Sequence, residues 1–389
     1  MKRIIFAVIT IVLASNVLGQ RFCGSQLDIS ELQKTDPARY QRIMALESQL
    51  QTLLRGTNNI PTSTITIPVV VHVVYNSAQN ISDAQMSAQM QVLNEDYRRL
   101  NANRVNTPAV WASVAGDANI EFKLAKIDSN GNPTIGITRT PTTVTGFSRS
   151  SDYVKFTSTG GHNAWNTLRY LNIWVCNLTS PSGIMGYSTF PDELLTNPNL
   201  DGVVINYIDF GVDGHTVYPY NKGRTTTHEV GHWLNLYHIW GTTEGNCTST
   251  DEVADTPNQY QRTYGCPSFP ETDLCSTVKP GIMFMNYMDY SDDACMNLFT
   301  NGQIERMRAL FDTQIGIRKE MLIDAECLAN SVNFINQSVT TNTTITSPCD
   351  IYVQDVTVSN NVKLMLDATR NVTIDGPFKV PLGSQLVIN

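Results

Sequence analysis

The sequence predicts an α/β fold with a twisted, mostly parallel sheet and a small β-rich C-terminal region. Three observations predict it. Residues 65–75, ITIPVVVHVVY, are a β-branched run of the kind that is buried on both faces of a sheet. A helical stripe of Met86, Met90, Leu93, Tyr97 and Leu100 follows, and strand-like runs recur at 119–127, 171–178 and 202–207. Strands separated by a long helical segment imply layers rather than a sandwich. Beyond about Cys327 the helical period stops and Thr, Asn and Val dominate. There, residues 355–364 and 371–380 match in shape at an offset of 16, which predicts a two-fold repeat of solenoid-like hairpins.

At the N-terminus, Met1-Lys2-Arg3 is a basic head and Ile4 to Leu13 is an apolar run. Small and polar residues follow it, the pattern of a cleaved secretion signal over 1–19. The run is too short to cross about 30 Å of hydrocarbon as a helix, and no later stretch reads as a stable membrane span. Pro37 opens a helix in which Tyr40, Ile43, Leu46, Leu50 and Leu53 form one stripe, and 56–61 breaks it. A helix ending in a breaker directly after a secretion signal reads either as a pro-segment over 20–58 or as an N-terminal helix of the main domain; 59–322 reads as the main domain and 323–389 as a β-rich domain. Ser82 with Gln85 predicts a capping box at the start of the next helix.

Composition narrows the function classes. The 389 residues carry 27 Lys+Arg against 35 Asp+Glu, a net charge of −8, which argues against nucleic acid as the main partner. A hydrophobic share of 41% excludes wholesale disorder. Eight cysteines suit an oxidising, extracellular setting. Cys247, Cys266, Cys275 and Cys295 allow three pairings, and Cys327 with Cys349 would staple the tail. Cys176 reads as a buried free thiol in an apolar strand, whereas Cys23 stands alone.

Three of the six histidines fall within residues 228–238, HEVGHWLNLYH. On a helix His228 and His232 lie one turn apart on one face, a separation that suits two imidazoles on one Zn²⁺. Glu229 sits where its carboxylate can serve a metal-activated water as general base without ligating. His238 completes a triad only if the chain turns back, and Asn235 is the residue that must permit the turn, since Asn tolerates positive φ. Three protein ligands leave a fourth position open, as in catalytic rather than structural zinc sites. The bland alternative, three structural histidines on a buried helix, does not account for the third one at this spacing.

With these residues the chain resembles the metzincin clan, and within it the pappalysin family of zinc proteases. The segment 286–290, NYMDY, is similar to the family's Met-turn. The resemblance implies Met288 as a hydrophobic base beneath the zinc and Tyr290 as a donor to the developing oxyanion. Residues 170–175, 183–187 with Phe190-Pro191, and 255–257 resemble further family segments, the first two forming the strand and rim that bind an extended substrate. It implies the pairings Cys247–Cys275 and Cys266–Cys295. Arg21-Phe22-Cys23-Gly24 resembles a cysteine-switch segment, which implies a pro-segment over 20–58 and Cys23 as a zinc ligand in a latent form; Arg55-Gly56, in the breaker region, is the expected cleavage point of an enzyme that accepts arginine. Family calcium sites direct attention to Asp251, Glu252 and Asp255, hard oxygen donors on a loop. The expectation is a secreted zinc endopeptidase made as a zymogen, acting on proteins or peptides next to Arg. Its rivals are a surface adhesion protein with a vestigial metal site and a zinc amidase acting on cell-wall peptide.

Overall fold

The computed structural model describes residues 22–26, 28–56, 63–212, 214–312 and 315–389, so the secretion signal expected over 1–19 lies outside the described residues. Seven strands form the main sheet: β1 (Phe22–Cys23), β2 (Ile65–Tyr75), β3 (Ile120–Leu124), β4 (Ile137–Pro141), β5 (Leu171–Cys176), β6 (Ile184–Ser188) and β7 (Val203–Asn206). Their order is β1-β6-β7-β5-β2-β3, with β4 also pairing β2. Only β6 and β7 pair antiparallel. The β-branched run of β2 explains its central place: Ile67, Val69, Val71 and Val73 join the largest core cluster, while Val70 and Val74 fill clusters of their own. One edge of β2 serves two strands in turn, Ile65 opposite Ile120 and Val71 opposite Ile137, and β5 lies along the other edge.

Five helices matter for the site: α1 (Ile29–Thr35), α2 (Pro37–Gly56), α3 (Asp83–Tyr97), α4 (Arg224–Trp233) and α5 (Asn301–Ala309). Helix α3 packs Met86, Met90, Leu93 and Tyr97 into the main core. It stops at Tyr97, so Leu100, expected in the stripe, is 60% exposed. The capping box expected at Ser82 is only half formed. Ser82 Oγ accepts from Gln85 N at 3.1 Å, but the Gln85 amide donates to Phe210 O at 2.7 Å instead of returning to Ser82. A complete box caps α5, where Thr300 and Gln303 bond reciprocally. Arg55-Gly56, the expected cleavage point, forms the last residues of α2 rather than a break.

The tail is a solenoid, though not of hairpins. Its strands form three parallel three-stranded sheets. Val332 pairs with Ile351, Ile351 with Val372, and Lys363 with Gln385, so one coil takes about twenty residues. The offset of 16 seen in sequence relates strands on different sides of the coil, where similar Val/Thr alternation arises because each side buries every second residue. Val339, Ile351, Val353, Val356, Val358, Leu364 and Leu366 fill the interior. A Cys327–Cys349 disulfide ties the tail's leading helical turn to its first coil. Among the described residues no helix is long and apolar enough to cross a membrane.

Candidate metal centre

Helix α4 is buried along its whole length and carries His228, Glu229 and His232. It ends at Trp233, after which Leu236 N donates to Gly231 O at 2.9 Å and Asn235 adopts φ 70°. This left-handed residue reverses the chain and returns His238 to the other two histidines. The Nε2 atom of His232 lies 3.1 Å from that of His228 and 3.1 Å from that of His238. His228 Nδ1 donates to Tyr287 O at 2.7 Å and His232 Nδ1 to Leu236 O at 2.7 Å. A carbonyl can only accept, so both Nδ1 atoms carry the proton and both Nε2 atoms present lone pairs.

Lone pairs facing one another this closely require a cation between them. Four ligands at the Zn–N length of about 2.0–2.1 Å in tetrahedral array stand about 3.4 Å apart, close to the separation found. The donor chemistry agrees with zinc: three imidazoles and a thiol, with Cys23 Sγ and the histidine nitrogens all within 4.8 Å of one another. Burial lowers the pKa of His228 to about 4 and drives His232 and His238 down as well, which keeps all three neutral and able to ligate. Burial, then the Glu229 carboxylate, pushes the Cys23 thiol up, so a thiolate is stable there only beside a cation.

The turn at 286–290 holds the cluster from below. Asn286 and Gln303 exchange amide hydrogen bonds of 2.8 and 3.1 Å, which fixes the turn to α5. Gly231 is required by the same packing, because a Cβ there would lie 2.6 Å from Met288 Sδ. Behind the turn, Asp96 accepts from Tyr287 Oη at 2.8 Å, Thr227 Oγ1 at 2.7 Å and Arg224 at 2.9 Å. Asp96 thus ties α3 to the residue whose carbonyl orients His228. Gly231 and Asp96 were missed by sequence reasoning, although a carboxylate beside Tyr97 on a buried helix face was a visible signal.

Glu229 is fully buried, which raises its pKa to about 7. Its Oε2 accepts from Ser25 Oγ at 2.8 Å and its Oε1 has no partner. Ser25, two residues after Cys23, is a third missed residue, and its Oγ also accepts from Ser188 N at 2.7 Å. The Tyr290 hydroxyl accepts from Cys23 N at 3.2 Å and donates to Cys23 O at 3.3 Å. Strand β1 runs along the edge of β6, with Phe22 N donating to Gly183 O and Gly24 N to Gly186 O. Beside His228 and Glu229 a cavity is lined by Met185, Tyr220, Thr225, Asp289, Ser291 and Asp293. Burial raises both carboxylates in it to about 6.

The disulfides Cys247–Cys275 and Cys266–Cys295 clip together the loops that follow the third histidine. Cys176 is buried and unpaired. The calcium ligands expected at Asp251, Glu252 and Asp255 are not brought together. Both oxygens of Asp251 accept from Thr256 Oγ1, Glu252 accepts from Thr250 Oγ1 and Asp255 from Gly302 N, while Asp255 Oδ1 is buried without a partner.

Residues 157–312 match the family model described as Pregnancy-associated plasma protein-A, peptidase M43. An extracellular metalloprotease of Arthroderma gypseum is 31% identical over 78% of this chain and 88% of its own length. One of Pyricularia oryzae is 32% identical over 69% of this chain and 82% of its own. Among solved structures, a Glu-to-Ala mutant of Tannerella forsythia promirolysin is 60% identical, with a TM-score of 0.76, over 80% of this chain and 100% of that one. Mature mirolysin from the same organism, in complex with a cleaved peptide, is 64% identical, with a TM-score of 0.68, over 69% of this chain and 100% of that one.

The turn at Asn235 yields a prediction. Its side-chain nitrogen has no partner, so the position demands a backbone conformation and not an amide. Asn235→Gly retains zinc, whereas Asn235→Val, strained by roughly 1–2 kcal/mol or more, binds zinc at least about tenfold more weakly. Competition against a chromophoric chelator measures both; equal affinities would refute the conformational account.

Proposed function

The chain belongs to the pappalysin family and is a metalloendopeptidase, and from that membership we propose a secreted enzyme, made as a latent zymogen, that uses Glu229 as general base. The observation that carries this reading is the convergence of three imidazoles and a thiol on a single buried point, with a buried carboxylate beside the thiol that keeps one oxygen free. His228, His232 and His238 would hold zinc, which when bound polarises a peptide carbonyl and acidifies a water. Glu229, buried beside the histidines and with one oxygen free, takes the proton from the attacking water and delivers it to the departing amine. Tyr290, freed from the Cys23 backbone, offers its hydroxyl to the developing oxyanion. The edge of β6 receives an extended substrate by strand addition, with Gly183 and Gly186 carbonyls as acceptors.

Latency follows from the same geometry. The segment 22–25 covers the strand edge, offers Cys23 as a fourth zinc ligand, engages Tyr290 and caps Glu229 through Ser25. Promirolysin matches about a tenth more of this chain than mature mirolysin does, which supports a pro-segment over 20–58 ahead of a protease domain over 59–322 and a β-rich domain over 323–389. The names of the relatives support an extracellular setting. A preference for arginine is supported by Asp289 and Asp293, two buried carboxylates in a cavity beside the site that also holds one cation, Arg224, next to Asp293. An adhesion protein with a vestigial metal would have no use for a buried carboxylate at 229, whose desolvation is costly.

Four outcomes test this reading. Glu229→Ala lowers kcat on a denatured protein substrate by on the order of 10²–10⁴ or more while zinc content stays at one per chain. Chelation abolishes the parent's activity and zinc restores it; hydrolysis that survives both treatments overturns the mechanism. Cys23→Ala makes the uncleaved precursor active, and a mutant as silent as the parent refutes the thiol latch. In a peptide library, Asp293→Asn lowers kcat/KM for arginine-containing sites by about tenfold or more, corresponding to at least one lost charge-assisted hydrogen bond of about 1.5–3 kcal/mol. An unchanged site profile refutes the assignment.

A further inference from the structure

Helix α2 lies in a groove whose chemistry mirrors its own. Ile43 packs against Phe190 and Tyr237, and Leu46, Leu50 and Leu53 pack with Ala309, Ile315 and Ile317. Those four apolar residues recur at intervals of three and four and form one face of the helix. Between them, both carboxylate oxygens of Glu47 accept from the Arg306 guanidinium, at 2.8 and 2.5 Å. Arg306 is 0% exposed, and its Nε also donates to Asn235 O at 2.7 Å, in the turn that precedes His238. Towards the start of the helix, Arg39 pairs with Asp192 at 3.0 Å and with Glu193. The groove therefore offers an acidic end, an apolar floor and a central guanidinium. The helix offers a cation, an apolar stripe and a central carboxylate in matching order. None of these contacts involves the Cys23 segment.

We infer that this groove is a docking site for an amphipathic helix in its own right. Its occupant after the linker is cut is this chain's own 37–56 segment, held in trans without help from Cys23. The inference rests on the precursor reading, because it concerns what remains once 57–62 is severed. Departure of the helix would uncover Phe190, Tyr237 and Ile317 and strip a buried guanidinium of its carboxylate, and both changes oppose release. Opposing retention, a free twenty-residue helix is marginal in water and must be ordered again on binding. Severing the linker thus replaces an intramolecular contact by a bimolecular equilibrium, so the latch dissociates according to concentration rather than at the moment of cleavage.

The test uses the full chain with a recognition sequence for a specific protease placed at 57–62, and with Cys23→Ala and Ser25→Ala to disable the latch. After cutting, the N-terminal fragment is expected to co-elute with the body of the protein at micromolar concentration. Adding Glu47→Lys or Leu50→Asp weakens its retention at least tenfold. A labelled synthetic 37–56 peptide, competed with its Glu47→Lys version on the nicked chain, gives the same ranking should a variant precursor fold poorly. A fragment that leaves the latch-disabled chain as readily as it leaves the Leu50→Asp chain overturns the inference, as does one retained equally in every variant. The precursor reading is scored separately, with Cys23 and Ser25 intact: cutting followed by dilution must raise specific activity. If cut and uncut chains are equally active, that reading fails regardless of where the fragment elutes.

Discussion

The structure turns on three imidazole lone pairs aimed at one buried point. Without a cation such an arrangement is repulsive and desolvated, so the chain must hold the rings in place against their own preference. It does so with acceptors that cannot be exchanged for donors: the Tyr287 and Leu236 carbonyls fix two tautomers and two ring orientations. Each acceptor is itself constrained. Tyr287 belongs to a turn bolted to α5 by Asn286 and Gln303, and Leu236 follows the left-handed Asn235. Gly231 then allows Met288 to close against the helix. The metal site is thus the meeting point of α4, its terminal turn and the 286–290 turn, and a shift in any of them is felt by the ligands.

The same point is where one short N-terminal segment meets the site. Catalysis by this geometry needs an open ligand position, an available carboxylate oxygen, a free phenol and an unpaired strand edge. Residues 22–25 reach the ligand position with a thiol, one of the two Glu229 oxygens with a serine hydroxyl, the phenol with a backbone amide and carbonyl, and the strand edge with two hydrogen bonds. No single contact of this set is strong once water competes for it. Held together in a buried cleft they act jointly, and helix α2 supplies the local concentration that keeps them there.

Much of this was legible in the sequence. The strand 65–75 reads as buried because β-branched residues occupy both faces, and 228–238 reads as a metal site because the spacing of its histidines admits few other uses. What was illegible depends on distant pairing. Ser25 is an unremarked serine until β1 is laid along β6, 160 or so residues away in the chain. The Gln85 amide went to Phe210 O, not to its own cap, because a buried carbonyl without a donor is the costlier defect. The tail misled in a different way: alternation of Val and Thr fixes which residues point inward, but not which coil a strand pairs with. The loop acids at 251–255 each have a local partner in a hydroxyl or a backbone amide, yet Asp255 Oδ1 stays buried and unpartnered, a detail that no sequence pattern shows.

Buried ion pairs occupy telling places in a chain so sparing of charge, with 16% Asp, Glu, Lys and Arg. Asp96–Arg224 sits at the start of α4, Asp201–Arg318 at its end, and Glu47–Arg306 at the turn beyond. Arg318 grips Asp201 with two bonds of 3.0 Å and donates to Trp233 O, while Trp233 Nε1 donates to Asp201. Such pairs add little net stability, because desolvation offsets most of the attraction, but removing one partner is costly. Their worth lies in register: each fixes the helix that carries the ligands at a defined depth and rotation. Two of the three are internal to the protease domain and persist whatever becomes of the pro-segment. The third takes its carboxylate from α2, so the turn before His238 is held by a helix nearly two hundred residues earlier in the chain.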